Sequence, residues 1–361
     1  MGERTLMNAN EALAEAAIRA GCRHYYGYPI TPQNDMIGYM AKRMREVGGV
    51  FIQSESELAA INMVFGTAAA GKRAMTSSSS PGISLMQEGI SYLAACELPA
   101  LIVNVQRGGP GLGNVAPGQA DYFQATRGGG HGDYRTIVIA PHTLQEGLDL
   151  VAPAFDLADK YRMPVIYLLD GQLAQMLELA ELPPFSQEPD QEKPWALTGC
   201  RGRDPNMIRS LLLDPDVMED LNLRLNAKYQ AICSTEKRWE ETETADAEVL
   251  TVAYGTAARL CKEAVKLGRR QGLKLGLLRP ITLWPFPEEA LKKAAQGCKG
   301  VLAVELSHGQ MFEDVKLSVN GGPPVYFYGR AGGNLPLVSR ILGLSRAMAE
   351  GKPVPERTIS D

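Results

Sequence analysis

The chain has 361 residues, enough for two domains and a sizeable buried core. Its 37 basic and 41 acidic residues leave a net charge of −4, which offers no field for drawing in nucleic acid or an anionic membrane. No apolar run approaches the ~20 residues needed to span a bilayer, and the opening "MGERTLMNANEA" lacks the apolar core of a secretory signal. The expected partners are therefore small molecules and proteins, and the expected location is the cytoplasm.

In chain order, residues 8–20 place apolar side chains at helical spacing after asparagine caps, and "HYYGYPI" at 24–30 reads as a strand. Strand-like "GVFIQ" then precedes a helix from about 55 to 70, and "RAMTS" a helix near 83–96. "ALIVNVQ" is a buried strand, "TIVIA" leads into a helix over 144–160, and "PVIYLLD" closes the series. Continuous apolar strands alternating with helices indicate α/β architecture, a parallel sheet covered on both faces, assigned here to residues 1–180.

Residues 181–246 read as a proline-rich linker arm followed by a polar helix near 215–240, with Val217, Leu221, Leu225 and Tyr229 on one stripe. Alternation resumes in 247–361 as a second, smaller α/β domain. Six scattered cysteines, with no CxxC and no Cys/His spacing suited to zinc or an iron–sulfur cluster, assign any redox centre to another chain.

Ligands of an open parallel sheet bind beyond the carboxyl ends of its strands. There the sequence puts Thr31 in "PITP", Glu57 after the second strand, the run "SSSSPG", and Arg107 before "GGPGLG". Each also has a purely structural reading. Thr31 before Pro32 suits a helix N-cap with proline at the first helical position, and Ser54 to Glu57 matches the capping-box pattern S-x-x-E. The serine run suits a polar loop, the glycines tight turns, and Arg107 a surface ion pair. The segment after Glu57, "LAAINMVFGTAAAG", carries only Asn62 and Thr67 as polar side chains, so a helix buried nearly all round is expected, with Glu57 buried at its head. A sheltered carboxyl that can share a proton suits acid–base chemistry.

These blocks, "GCRHYYGYPITPQNDM", "ESELAAINMVFGTAAAGKRAMTSSSSPGISLMQEGISYLAACELP" and "VNVQRGGPGLG", resemble the α subunit of 2-oxoacid:ferredoxin oxidoreductases. The likeness is to the 2-oxoisovalerate (3-methyl-2-oxobutanoate) and 2-oxoglutarate types, and extends through "LLRPITLWPFP" and "VELSHGQM". The resemblance implies a pyrimidine-binding domain for thiamine diphosphate, followed by a domain like the carboxy-terminal one of transketolases. It implies oxidative decarboxylation of a 2-oxoacid to an acyl-coenzyme A, with electrons passing to ferredoxin. Glu57 is then the carboxyl that hydrogen-bonds the aminopyrimidine nitrogen and promotes removal of the thiazolium proton. Thr31 and Arg107 match positions that bind the 2-oxoacid. Arginine suits this because its permanently charged fork can hold a carboxylate at two points. Ser80, Pro81 and Gly82 are expected to contact the cofactor, and the loops 77–82, 108–113 and 127–133 to wall one cavity. His131 and His308 are expected to be structural, and the second domain an assembly element.

The magnesium-binding "GDG" of thiamine enzymes is absent, and "LDGQ" at 169–172 does not replace it. The resemblance therefore implies a β subunit carrying GDG, magnesium and the diphosphate site, with a γ subunit and a ferredoxin-like δ subunit completing the assembly. Iron–sulfur clusters would sit on these partners only, and coenzyme A is the co-substrate. A branched-chain 2-oxoacid needs an apolar pocket, whereas 2-oxoglutarate needs a second cation for its distal carboxylate. The cations near the site are Arg107, Lys72, Arg73 and Arg127, of which Lys72 and Arg73 precede a strand and belong at the other end of the sheet; the block "SSSSPGISLMQEG" resembles the branched-chain type more nearly. Two rivals are a non-catalytic scaffold of the same fold and an unrelated nucleotide-binding protein. The missing G-x-G-x-x-G after the first strand counts against the latter.

Overall fold

A computed structural model describes residues 4–186 and 193–360. The chain runs β1 (Arg4–Asn8), α1 (Ala9–Arg19), β2 (His24–Gly27), α2 (Asn34–Glu46), β3 (Val50–Gln53), α3 (Glu57–Ala69), β4 (Ala74–Ser78), α4 (Ser80–Ala95) and β5 (Ala100–Gln106). Then follow α5 (Tyr122–Arg127), β6 (Ile137–Ile139), α6 (Leu144–Asp149), α7 (Val151–Tyr161), β7 (Pro164–Asp170), α8 (Gly171–Gln175) and β8 (Leu177–Glu181). The rest comprises α9 (Pro215–Thr235), β9 (Trp239–Thr242), β10 (Val249–Val252), α10 (Gly255–Arg270), β11 (Leu275–Pro280), β12 (Thr282–Trp284) and α11 (Glu288–Ala294). It ends with β13 (Gly300–Glu305), α12 (Met311–Ser318), β14 (Val325–Gly329), α13 (Val338–Ala349) and β15 (Arg357–Thr358).

Two mainly parallel sheets result, one ordered β12-β6-β7-β5-β4-β2-β3 and the other β15-β14-β13-β10-β11-β9. Every residue of β5 and β7 is buried, as strands covered on both faces require. In the first sheet the chain steps outward from β2 to β3, then crosses back to place β4 on the other side of β2. That reversal opens a crevice at the carboxyl ends of β2 and β4, where open α/β sheets bind ligands.

The two units are welded together. One residue, Ile281, separates β11 of the second sheet from β12, which pairs antiparallel with β6 of the first. A single apolar core joins Ile61, Ile90 and Ile102 of the first unit to Val252, Phe312 and Phe327 of the second. Asp170, buried at the end of β7, accepts from Thr256 N at 2.8 Å and Thr256 Oγ1 at 2.5 Å at the start of α10. "LDGQ" thus caps α8 through Leu173 N and ties the units together.

Several local expectations are corrected. Thr31 is not a helix cap: α2 starts at Asn34, and residues 31–33 form a turn across a cis Thr31–Pro32 peptide. Ser56, not Ser54, caps α3, its hydroxyl accepting from Ala59 N at 3.2 Å. Buried Ser54 points instead toward Met63. The helix after Glu57 is not buried all round, because Leu58, Asn62 and Gly66 form an exposed stripe at spacing i, i+4, i+8. The serine run is no loop: Ser77 and Ser78 end β4 and Ser80 begins α4. The helix expected over 144–160 is two, meeting at Leu150. Val217 faces solvent on α9, whose buried stripe is Leu221, Leu225, Tyr229 and Ile232. The ribbon of β1 and β8, and strands β9, β12 and β15, had no clear signal in the sequence. Of the arm expected from 181, residues 187–192 lie outside the described ones.

Candidate active site

Four chain segments meet at the crevice. The turn at 28–33 is pinned from two sides: Asn10 on α1 donates to the Pro32 carbonyl at 2.9 Å, and Gln33 donates to the Tyr28 carbonyl at 3.1 Å. Gln33 in turn accepts from Ser77 on β4 at 2.7 Å, and the Ser77 hydroxyl lies 2.6 Å from that of Tyr25. Buried polar groups must find such partners, and here they rigidify the turn that carries Thr31. The Thr31 side chain stays half-exposed, accepting from Asn34 at 3.1 Å.

Glu57 begins α3 and is 5% exposed. Ser78 Oγ stands 3.5 Å from Glu57 Oε1, and among the described residues no cation pairs with the carboxyl. Opposite lies Gly82 in the first turn of α4, after Ser80 and Pro81. A Cβ built there would sit 2.4 Å from Glu57 Oε1 and 2.0 Å from Ser78 Oγ, so only glycine lets the carboxyl and Ser78 pack this closely against the first turn of α4.

Arg107 extends β5 and is 8% exposed, yet has no carboxylate partner within ion-pair distance among the described residues. Its Nη1 donates to the Thr31 carbonyl at 2.9 Å and Nη2 to the Leu112 carbonyl at 2.8 Å, while Nε is buried without a partner. The guanidinium therefore retains its net positive charge and an unused donor. Its backbone N–H donates to Ser80 Oγ at 3.0 Å. Thr31, Glu57, Ser80, Pro81, Gly82 and Arg107 are thus linked by direct contacts.

The three glycine- and serine-bearing segments do not form one wall. Residues 108–113 stay at the site through Leu112, and Asn114 donates to the Gly332 carbonyl of the second unit. By contrast, residues 127–133 pack on later turns of α4. Gly129 N donates to Gln87, and the His131 carbonyl accepts from Ser91, about three helical turns beyond Ser80. His131 is exposed and away from Glu57; His308 is also exposed, and its carbonyl accepts from Arg357. Arg73 lies at the opposite end of β4, buried between Asp156 and Asp159, and Arg127 pairs with Asp314.

Sequence reasoning missed a second set of residues at the site. Asn104, Gln106 and Asp121 form a polar cluster behind Arg107. The Asp121 carboxyl accepts from Ser80 Oγ at 2.6 Å and Asn104 at 2.9 Å. Burial pushes its pKa up, outweighing the two hydrogen bonds and the charge of Arg107, which pull it down. The available signal was the alternation in "IVNVQ": two amides at i and i+2 near the carboxyl end of a buried strand must have polar partners nearby. Among the described residues no group of three His, Cys, Asp or Glu could hold a metal ion.

Residues 15–244 match the family profile of pyruvate flavodoxin/ferredoxin oxidoreductase, thiamine diphosphate-binding, and residues 247–341 that of pyruvate:ferredoxin oxidoreductase core domain II. The chain is 49% identical to the ketoisovalerate oxidoreductase subunit VorB of Methanothermobacter marburgensis, over 95% of this chain and 97% of that protein. Identity to the 2-oxoglutarate synthase subunit KorA of the same organism is 34%, over 95% of this chain and all of that one. The solved 2-oxoglutarate:ferredoxin oxidoreductase from Magnetococcus marinus, with 2-oxoglutarate, coenzyme A and succinyl-CoA bound, superposes with a TM-score of 0.85 at 27% identity. That match covers 96% of this chain and 66% of the other.

Proposed function

The chain belongs to the 2-oxoacid:ferredoxin oxidoreductase family, and we propose that it is the α subunit of a branched-chain enzyme acting on 3-methyl-2-oxobutanoate. Thiamine diphosphate supplies the electron sink for decarboxylation when bound. The observation that carries the reading is the Glu57 carboxyl, buried without a cation among the described residues and packed against Gly82 at the first turn of α4. Such a carboxyl can accept and return a proton at the aminopyrimidine, shielded from water. Ser80, Pro81 and Gly82, at the start of the helix on which the carboxyl packs, would contact the ring, and the Ser78 hydroxyl lies 3.5 Å from the carboxyl. Arg107, with its unpaired charge and free Nε donor, binds the 2-oxoacid carboxylate beside the Thr31 hydroxyl.

The GDG motif is absent from the sequence, so in this reading a GDG-bearing β subunit supplies magnesium and the diphosphate site and closes the cavity. Iron–sulfur clusters on the partner subunits, γ- and δ-type chains among them, would then carry electrons toward ferredoxin, and coenzyme A would take the acyl group. Two features support an apolar substrate. Arg73 and Arg127 are committed to carboxylates elsewhere, while Leu58, Leu85 and Leu112 stand exposed on the segments that bear Glu57, Gly82 and Arg107. None of the described helices is long and apolar enough to cross a membrane, and the cytoplasm is the proposed location.

The test is turnover by the complex purified with its partner subunits, on a panel of 2-oxoacids. Glu57→Gln should lower kcat by roughly 10²- to 10⁴-fold with folding intact. Normal turnover by that variant would support a scaffold role instead. Faster turnover of 2-oxoglutarate than of 3-methyl-2-oxobutanoate would reassign the substrate.

A further inference from the structure

The second unit touches the segment that supports Arg107 at several points, and one of its side chains brackets Asp121. Asp121 occupies the N-cap position of α5, yet its carboxylate caps nothing in its own helix and turns to Ser80 and Asn104 instead. Aspartate at that position ordinarily accepts from the second or third helical N–H. Here the N–H of Phe123, the second helical residue, donates at 2.7 Å to Oε1 of Gln310, from the segment leading into α12. The other end of the same amide, Nε2, donates to the Ala120 carbonyl at 2.6 Å. Gln310 therefore brackets Asp121, holding the backbone on both sides and supplying the cap that Asp121 withholds. Neighbouring contacts fix the register: Gln119 N donates to the Leu306 carbonyl at 2.8 Å, and Leu306 N to Gln119 Oε1 at 3.0 Å.

We infer that Gln310 is a positioning residue for 2-oxoacid binding, keeping Asp121 directed at Ser80 and thereby fixing the backbone of Arg107. The inference rests on the assignment of Arg107 to the substrate carboxylate. The relay is continuous: Gln310 to the 120–123 backbone, Asp121 Oδ2 to Ser80 Oγ, and Ser80 Oγ to Arg107 N. Gln106 adds a second tie, its Oε1 accepting from Asp121 N at 3.2 Å. Without the glutamine amide, Phe123 N and the Ala120 carbonyl lose their partners and the 120–123 backbone that carries Asp121 is released. Ser80 then loses its 2.6 Å acceptor and keeps only the 3.5 Å contact to the Arg107 carbonyl, so the hydroxyl that accepts from Arg107 N is held less firmly. In this arrangement the second unit does more than hold the assembly together.

The experiment is steady-state kinetics of the complex purified with its partner subunits, with 3-methyl-2-oxobutanoate varied, for Gln310→Ala, Asp121→Ala, the double variant, Gln310→Glu and Arg107→Ala. Losing one such hydrogen bond should raise KM by about tenfold in either single alanine variant, with kcat within about twofold of the parent. The double variant should be no worse than either single, since both break one relay. Gln310→Glu retains an acceptor for Phe123 N but sets a carboxylate oxygen against the Ala120 carbonyl in place of the Nε2 donor, and should recover only part of the affinity. A purely structural role would lower thermal stability and apparent kcat and leave KM unchanged. That pattern, or effects that multiply in the double variant, would overturn the inference provided Arg107→Ala raises KM. If Arg107→Ala leaves KM at the parent value, the arginine's own assignment fails.

Discussion

Substitution of Gly82 by alanine probes the geometry around Glu57 without touching its chemistry. The added methyl would lie 2.4 Å from Glu57 Oε1 and 2.0 Å from Ser78 Oγ, against ordinary carbon–oxygen contacts beyond 3 Å. Both groups must therefore give way by roughly 1 Å, in a region whose neighbours are packed on all sides. Overpacking of this kind costs about 1–3 kcal/mol of stability. A reacting group misplaced by about 1 Å costs on the order of 10²-fold in rate. The assay is dye or ferredoxin reduction by the purified complex at saturating thiamine diphosphate, with thermal denaturation alongside. The control is Gly38→Ala: Gly38 lies on the exposed face of α2 with nothing within 4 Å of the methyl that alanine would add, and the substitution should stabilise by about 0.5–1 kcal/mol without changing turnover. Wild-type turnover and cofactor requirement in Gly82→Ala would refute the placement of Glu57 against the first turn of α4.

Two further predictions concern the weld between the units. Asp170→Ala strips the acceptor from Thr256 N, Thr256 Oγ1 and Leu173 N, and should lower stability by about 2–4 kcal/mol, read as a drop in denaturation midpoint. Glu146 lies in a buried network with His142 and Arg279, and Arg279 also pairs with Glu240. Burial pushes its carboxyl up, but the His142 hydrogen bonds and the Arg279 charge outweigh this and hold the pKa at about 2. Its unfolded value is about 4.3, so its contribution is complete above that pH and is lost as pH falls toward about 2. Urea unfolding across this window should show Glu146→Gln with a shallower acid decline than the parent; identical slopes would remove Glu146 from the acid response.

How much of this was legible beforehand follows from the range of the interactions involved. The buried strands and their helices were readable because apolar runs such as "ALIVNVQ" and "PVIYLLD" carry their own signal. Glu57, Thr31 and Arg107 stood out because each follows a strand, and the reversal of strand order brings strand ends together. Short-range cap rules failed where tertiary partners took over. Ser54 and Thr31 had the right neighbours in sequence, yet the burial of Ser54 against Met63 and the clamping of the 28–33 turn by Asn10 and Gln33 decided their roles. The strands β9, β12 and β15 span four, three and two residues, too few for a period to show, and each is defined by a sheet already in place. Asp121 illustrates the limit. Within its own segment it stands at a helix start, but Ser80 and Asn104 take its carboxylate and Gln310, 189 positions later, holds the backbone on either side of it. A site assembled from strand ends can be located from local sequence, but the groups that orient it belong to whichever element the fold packs behind it.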